Sequence, residues 1–309
     1  MKAISQTTFG DPSVLQIVEI DAPVPIPTEV LIRVAAVGLN PVETAIRSGG
    51  FALLGEPPFV LGWDVSGVVE SVVPGVTRFQ VGDEVFGMPF FPRPASTYAE
   101  LVVAPSRQIA RKPRTLSFEQ AAALPLAGLT AWQSVVDGAH VSPGQRVLVH
   151  GAGGGVGHLA VQIAKAFGAY VIGTASGPRE EFVRGLGADE VIDYRTQDFT
   201  RAVSGVDIVL DCIGADNASR SLSVLVPGGT LVTIVDRSNR TLQAEVEQRG
   251  FTFVGISVEP DHVGLESLGS LVDEGKLVVH VDRTYAFEHI ADAHRALDTS
   301  FPGKIVLIP

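Results

Sequence analysis

The segment that most restricts what this chain can fold into is Gly151-Ala-Gly-Gly-Gly-Val-Gly157, five glycines in seven residues. It follows the short apolar run Arg146-Val-Leu-Val-His150 and precedes His158-Leu-Ala-Val-Gln-Ile-Ala-Lys165, which is apolar at helical spacing. Backbone without Cβ atoms can turn sharply from strand to helix. It can also let a pyrophosphate approach the amides and dipole of the helix N-terminus. Gly151, Gly154, Gly155, Val156 and Gly157 are the candidate contacts, with Gly157 also allowing helix and strand to pack closely. The strict glycine pattern is broken at Ala152, so the signal rests on its setting: a strand before, a helix after, and a second strand at Tyr170–Thr174. The alternative is a tight turn that holds no ligand.

The surrounding pattern extends this reading. Segments Arg146–His150, Val156–Phe167, Tyr170–Thr174, Glu180–Leu186, Val206–Cys212, Ser219–Leu225 and Thr230–Val235 alternate strand with amphipathic helix, which predicts a doubly wound parallel sheet. Before residue 115 the chain instead carries short β segments between Pro and Gly: Glu29–Val37, Gly67–Val73 and Ser96–Val103. Helical spacing covers Phe118–Asp137. Beyond residue 258 come a segment at Val263–Glu274, a strand at Val281–Tyr285, a helix at His289–Asp298 and a strand at Lys304–Ile308.

Composition excludes several classes. A net charge of −11 opposes binding to nucleic acid. One cysteine, Cys212, excludes internal disulfides and a multi-cysteine zinc site. No run approaches the length of a membrane span, and Met1-Lys-Ala-Ile-Ser-Gln-Thr-Thr-Phe9 shows no signal-peptide pattern, so the cytoplasm is expected.

The end of the second strand addresses which dinucleotide is bound. An acid about 20 residues beyond the glycines takes the ribose 2′-OH of NAD. From Val171 to Pro178 there is no acid, and the first charged residue is Arg179. Neutral Thr174 and Ser176 beside a guanidinium suit the 2′-phosphate of NADPH. Glu180 and Glu181 count against this, and Arg179 is otherwise a solvated residue at a helix start.

Further segments occur in a telling order: Gly38-Leu-Asn-Pro-Val-Glu-Thr-Ala-Ile-Arg-Ser-Gly49, Gly62-Trp-Asp-Val-Ser-Gly67, Val81-Gly-Asp-Glu-Val85, Leu124-Pro-Leu-Ala-Gly-Leu-Thr-Ala-Trp132 and the glycine loop. Together they resemble the zinc-independent quinone oxidoreductase branch of the medium-chain dehydrogenase/reductase superfamily, which includes zeta-crystallin. The resemblance runs over essentially the whole chain. It implies a GroES-like β-rich catalytic domain split around a Rossmann cofactor domain, with residues 1–118 and 258–309 in the first and 119–257 in the second. It also implies a homodimer that reduces a quinone or activated enone with NADPH. Zinc-dependent members carry a Cys and a Gly-His-Glu motif where this chain has Asn40, Trp63 and Asp64, so no metal is expected.

The same resemblance places Asn40 beside nicotinamide and substrate, where its amide can donate to an oxygen gaining negative charge. An Asx turn before Pro41 is the competing role. Thr130 and Leu126 resemble pocket-lining positions, with core packing an equal reading for Leu126. Tyr194 matches a position near the adenosine phosphate. Gly214, Ile234 and Val235 lie at the carboxyl ends of strands, where ligands bind in such sheets. Asp64 is a candidate for polar duty or for a structural hydrogen bond. The branch carries a Tyr where this chain has Ala45, and some relatives carry a second where it has Phe51, which leaves no evident protein general acid. Two other readings remain: an enoyl or alkenal reductase, for whose acyl carrier or CoA only isolated Arg47, Arg93 and Arg107 offer charge, and a non-catalytic NADPH-binding protein.

Overall fold

The computed structural model describes residues 1–309. The chain opens with β1 (Lys2–Gln6), β2 (Gln16–Glu19), β3 (Glu29–Gly38), α1 (Pro41–Arg47), β4 (Phe59–Val60), β5 (Val65–Val72), β6 (Glu84–Gly87), β7 (Leu101–Pro105) and β8 (Ile109–Arg111). Helices α2 (Phe118–Ala122) and α3 (Pro125–Trp132) lead to β9 (Arg146–Val149), α4 (Gly157–Ala166), β10 (Tyr170–Ala175), α5 (Glu180–Gly185), β11 (Glu190–Asp193) and α6 (Phe199–Ala202). Then come β12 (Val206–Asp211), α7 (Asp216–Ser221), β13 (Leu225–Thr233), α8 (Arg240–Gln248) and β14 (Thr252–Gly255). The chain closes with α9 (His262–Asp273), β15 (Val281–Ala286), α10 (Ile290–Leu297) and β16 (Lys304–Ile308).

These elements form two units. The first comprises Met1–Leu129, Glu259–Asp273 and Val279–Pro309; the second comprises Thr130–Val258 and Glu274–Val278. In the first, a sheet ordered β15-β16-β3-β5-β6-β8, with β7 also pairing β3, stands beside a small sheet β2-β1-β4. β3 pairs antiparallel with β5, β7 and β16. Its central position explains why Val30, Ile32, Ala36 and Val37 are all fully buried.

In the second unit all six strands are parallel, in the order β11-β10-β9-β12-β13-β14. The order reverses between β9 and β12, which creates a crevice at their carboxyl ends. Leu148, Ile172, Val209 and Leu231 fill its core against Phe199, Leu222 and Val246.

Several elements differ from the sequence pattern. The helical stretch Phe118–Asp137 is broken at Ala123–Leu124, because Pro125 has no N–H to continue the ladder, and it ends as a π-helical turn at Gln133–Gly138. Ladder pairing in Ser96–Val103 begins only at Leu101; Ser96 has φ +58°, outside the extended region. Helix α7 stops at Ser221, and Leu225 already belongs to β13. The expected alternation lacks β11, α6, α8 and β14, of which β11 and β14 are the two edge strands of the sheet.

The division also falls inside α3 and not at residue 118. Ser66 donates to the Phe118 carbonyl at 2.6 Å, and the Leu126 amide donates to Asp64 at 2.7 Å, which ties this segment to the first unit. Residues Glu274–Val278 join the second because Gln162 bonds both the amide and the carbonyl of Val278.

Candidate functional site

The carboxyl edge of the parallel sheet carries a cavity of about 440 Å3. His150, Gly151, Thr174, Tyr194, Ile213 and Asn217 line it, each just beyond or at the end of β9, β10, β11 or β12. Of the glycine loop, Gly151 forms part of its wall. Gly151 has φ +67°, a conformation that glycine alone adopts without cost. A Cβ on Gly157 would lie 2.2 Å from the Gly151 carbonyl oxygen, so the turn's own backbone demands glycine there. The Gly154 amide closes the turn by donating to Gly151 O at 2.9 Å, so that N–H serves the loop and not a ligand. Gly155 and Val156 carry the chain into α4, with Val156 at its N-cap.

Behind the loop lies a neutral hydrogen-bond chain that sequence reasoning missed. Ser221 gives its single hydroxyl hydrogen to Asn217 O at 2.7 Å, so at 3.0 Å it accepts from His150 Nε2. His150 Nδ1 is then the acceptor for Thr174 Oγ1 at 3.1 Å, and Thr174 Oγ1 in turn accepts the Gly151 amide at 3.2 Å. Burial pushes the His150 imidazole down to about 4, so it is neutral at physiological pH. Thr174 is therefore committed to holding the loop.

The remaining cofactor candidates are distributed along the same edge. Ser176 is nearly buried at the end of β10. The Arg179 stem covers the loop: a Cβ on Gly153 would meet its Cδ at 3.1 Å. Tyr194 is 55% exposed at the cavity rim. Gly214 has φ +79° and abuts Val235, whose Cγ1 would lie 2.8 Å from a Cβ at that position. The Gly214 amide, however, is bound by the Asp211 carboxylate at 3.1 Å, and Ile234 N donates to Asp211 O. β12 ends at Asp211 and β13 at Thr233, so Gly214, Ile234 and Val235 lie in the loops beyond. Asp193 is a further neighbour of this edge. It comes from β11, and its Oδ2 would lie 2.8 Å from a Cβ on Gly177.

In the first unit the candidates gather into a buried charged cluster. Asn40 caps α1, with Pro41 in its first turn, and is 2% exposed. Its Nδ2 donates to Asp64 Oδ2 at 3.0 Å and reaches Gly38 O at 3.4 Å. Lys304 Nζ donates to Asn40 Oδ1 and lies 3.5 Å from Asp64 Oδ2. Glu43 Oε2 accepts the Asn40 backbone N–H at 2.8 Å and the Tyr98 hydroxyl at 2.7 Å. Because Tyr98 gives its hydrogen to Glu43, it accepts from His294 Nε2 at 3.1 Å, and His294 Nδ1 accepts from Arg47 Nη1 at 3.3 Å. Burial raises Glu43 to about 7, raises Asp64 above the usual carboxylate range, and lowers His294 to about 3. Arg47 is thus spent inside the fold, bonding Gly10 O as well, and is not a surface cation for an acyl carrier.

Comparison with known proteins shows the family of the chain. Residues 26–114 match the alcohol dehydrogenase GroES-like domain, and residues 186–307 match the family described as zinc-binding dehydrogenase. A quinone oxidoreductase of Pongo abelii is 33% identical, covering 100% of this chain and 98% of that protein. A 2-methylene-furan-3-one reductase of Solanum lycopersicum is 36% identical over 100% of this chain and 79% of that protein. The crystal structure of Escherichia coli quinone oxidoreductase complexed with NADPH superposes with a TM-score of 0.89, at 29% identity and full coverage of both chains. The chain belongs to the zeta-crystallin-like branch of the medium-chain dehydrogenase/reductase superfamily. It is an oxidoreductase on a GroES-like domain and a Rossmann domain.

Asn40, Trp63 and Asp64, where the resemblance places the zinc-binding motif of zinc-dependent members, have other partners here. Asn40 and Asp64 are joined by an ammonium, and Trp63 Nε1 turns away to donate to Arg93 O at 2.8 Å. No group of three or more His, Cys, Asp or Glu side chains could hold a metal ion. No helix is long and apolar enough to cross a membrane. Thr130 is buried in α3, and Leu126 spends its amide on Asp64. Phe51 is 38% exposed, and Cys212 lies just past the end of β12, its thiol pushed up by burial.

One signal could have revealed the charged cluster. Lys304 is the single charged residue in the otherwise apolar run Lys304-Ile-Val-Leu-Ile308, and a lysine in a central strand needs a buried partner.

Proposed function

We propose that this protein reduces a quinone or an activated enone with NADPH, as a homodimer in the cytoplasm. The observation that carries the reading is the carboxyl edge of the second unit. A glycine turn, a helix N-terminus and a cavity meet there at the reversal of a parallel sheet, which is the setting that receives a dinucleotide. The arrangement fits NADPH: Gly155, Val156 and Gly157 would face the pyrophosphate, Ser176, Arg179 and Tyr194 the adenosine end, and Gly214, Ile234 and Val235 the loops near the carboxamide. Bound NADPH supplies the hydride; the chain's own residues orient and stabilise.

Reduction of a quinone or enone places negative charge on an oxygen, which hydrogen-bond donors stabilise. Asn40 is the donor we assign to that oxygen, through the amide hydrogen that makes only the long 3.4 Å contact to Gly38 O. Asp64 supports the same reading as the acceptor that orients the amide. The quinone and furanone reductases among the relatives support the two substrate classes.

Preference for NADPH rests on Arg179 over the glycine loop and on the NADPH complex of the E. coli relative. The Asp193 carboxylate beside Gly177 favours NADH instead, as an acceptor for a ribose hydroxyl. Oxidation of NADPH and of NADH with a panel of quinones, enones and enoyl thioesters decides both questions. The reading expects NADPH with a quinone or simple enone to give the highest kcat/KM. Turnover confined to thioesters would move the protein to the enoyl reductases, and none at all would make it a binding protein.

A further inference from the structure

The charged cluster contains a group that the proposed reaction does not yet use. Lys304 lies in β16 with only 3% of its surface exposed. An ammonium so deeply placed loses its hydration and needs compensation by charge and hydrogen bonds. Its backbone is fixed from the neighbouring segment: Lys304 N donates to His280 O at 3.0 Å, and Gly303, at φ +63°, has no room for a side chain, since a Cβ would lie 2.3 Å from that same oxygen. The ammonium therefore enters the cluster from a rigid base.

Three groups then close on one another. Lys304 Nζ donates to Asn40 Oδ1, Asn40 Nδ2 donates to Asp64 Oδ2 at 3.0 Å, and Nζ lies 3.5 Å from that same oxygen. The other Asp64 oxygen is satisfied by the Leu126 amide at 2.7 Å. This charge pattern leaves the Asn40 amide one orientation. Flipping it would set NH₂ against an ammonium and carbonyl oxygen against a carboxylate. An ammonium on Oδ1 also draws electron density from the amide and strengthens its N–H groups as donors.

Stability alone is a weak reason for such a pair. A buried ion pair replaced by neutral groups of similar volume is often no less stable. We propose that Lys304 is a positioning residue for the reduction: its ammonium, balanced by Asp64, orients and polarises the Asn40 amide that meets the substrate oxygen. The inference rests on the role assigned to Asn40 in the proposed reaction.

The test compares Lys304→Met with the charge-balanced pair Lys304→Met/Asp64→Asn in the full-length protein. Melting temperature, KM for NADPH and single-turnover hydride transfer to a quinone that the wild type reduces are measured for each. Lys304→Met should lose both stability and rate, because it strands a buried carboxylate. The double variant should regain most of the melting temperature, keep its KM for NADPH within about threefold, and still transfer hydride at least about tenfold more slowly than wild type. A double variant whose rate lies within about threefold of wild type would make the pair a purely structural one and overturn the inference. A double variant that cannot fold would overturn it too, since the ions would then be required by the fold itself. Wild-type turnover is recorded alongside: its absence counts against the proposed reaction, whereas normal wild-type turnover with an unimpaired double variant counts against Lys304 alone.

Discussion

The two units each bury a chain of polar side chains behind their candidate site, yet they build it from different chemistry. In the Rossmann unit, Gly151, Thr174, His150, Ser221 and Asn217 are linked through neutral groups. In the GroES-like unit, Arg47, His294, Tyr98 and Glu43 join Asn40 to a cation, and Lys304 and Asp64 hold its other end. A neutral chain loses one hydrogen bond when broken, while an ionic one leaves a charge without a partner in a poorly solvated interior. The neutral chain thus sets the shape of the glycine loop that we assign to the cofactor. The ionic chain sets an orientation and a field around Asn40.

The largest expected effect follows from that contrast. Arg47→Met should cost about 3–5 kcal/mol of folding stability, because it removes two hydrogen bonds from a charged donor inside the fold, to Gly10 O and to His294 Nδ1. Urea denaturation measures it; a loss below about 1 kcal/mol would place Arg47 among ordinary surface cations and erase the distinction.

The next effect depends on pH. Glu43, raised to about 7 from an ordinary 4.5, binds its proton more tightly in the fold than in the unfolded chain. Its contribution is fully present below 4.5 and is lost as pH rises towards and through 7. Glu43→Gln cannot titrate, so relative to wild type it should gain stability across that window, by about 3 kcal/mol at most. Parallel stability curves for the two proteins from pH 5 to 8 would show that the shift is absent.

At the rim of the neutral side, Arg179→Ala should weaken NADPH by about 1.5–3 kcal/mol, the worth of a hydrogen bond to a charged group, and leave NADH nearly unchanged. Equal weakening of both cofactors in a binding titration would remove Arg179 from the 2′-phosphate. The smallest effect is expected for His150→Phe, which keeps a ring of similar size beside Phe199 and removes two neutral hydrogen bonds. About 1 kcal/mol should be lost, with a small rise in cofactor Kd as Gly151 loosens. A loss as large as that for Arg47→Met would mean that charge is not what separates the two networks.

Local chemistry fixed much of this protein in advance. The glycine loop, the strand before it and the helix after it are adjacent in the chain, so apolar spacing and missing Cβ atoms are enough to specify them. The resemblance carried in segments such as Gly38–Gly49 supplied the GroES-like partner and the absence of zinc-ligand residues at 40 and 63. What tertiary structure alone decided is which side chains meet. Asn40 and Asp64 are 24 residues apart and Asn40 and Lys304 are 264 apart, so neither spacing nor periodicity could pair them. Asp193 was readable as a strand end but not as a neighbour of Gly177, because parallel pairing of β10 with β11 brings the two together. Burial made the same selection: Glu43, Tyr98 and His294 are unremarkable polar residues in the sequence, and only exclusion of water at the centre of the fold forces them to satisfy one another.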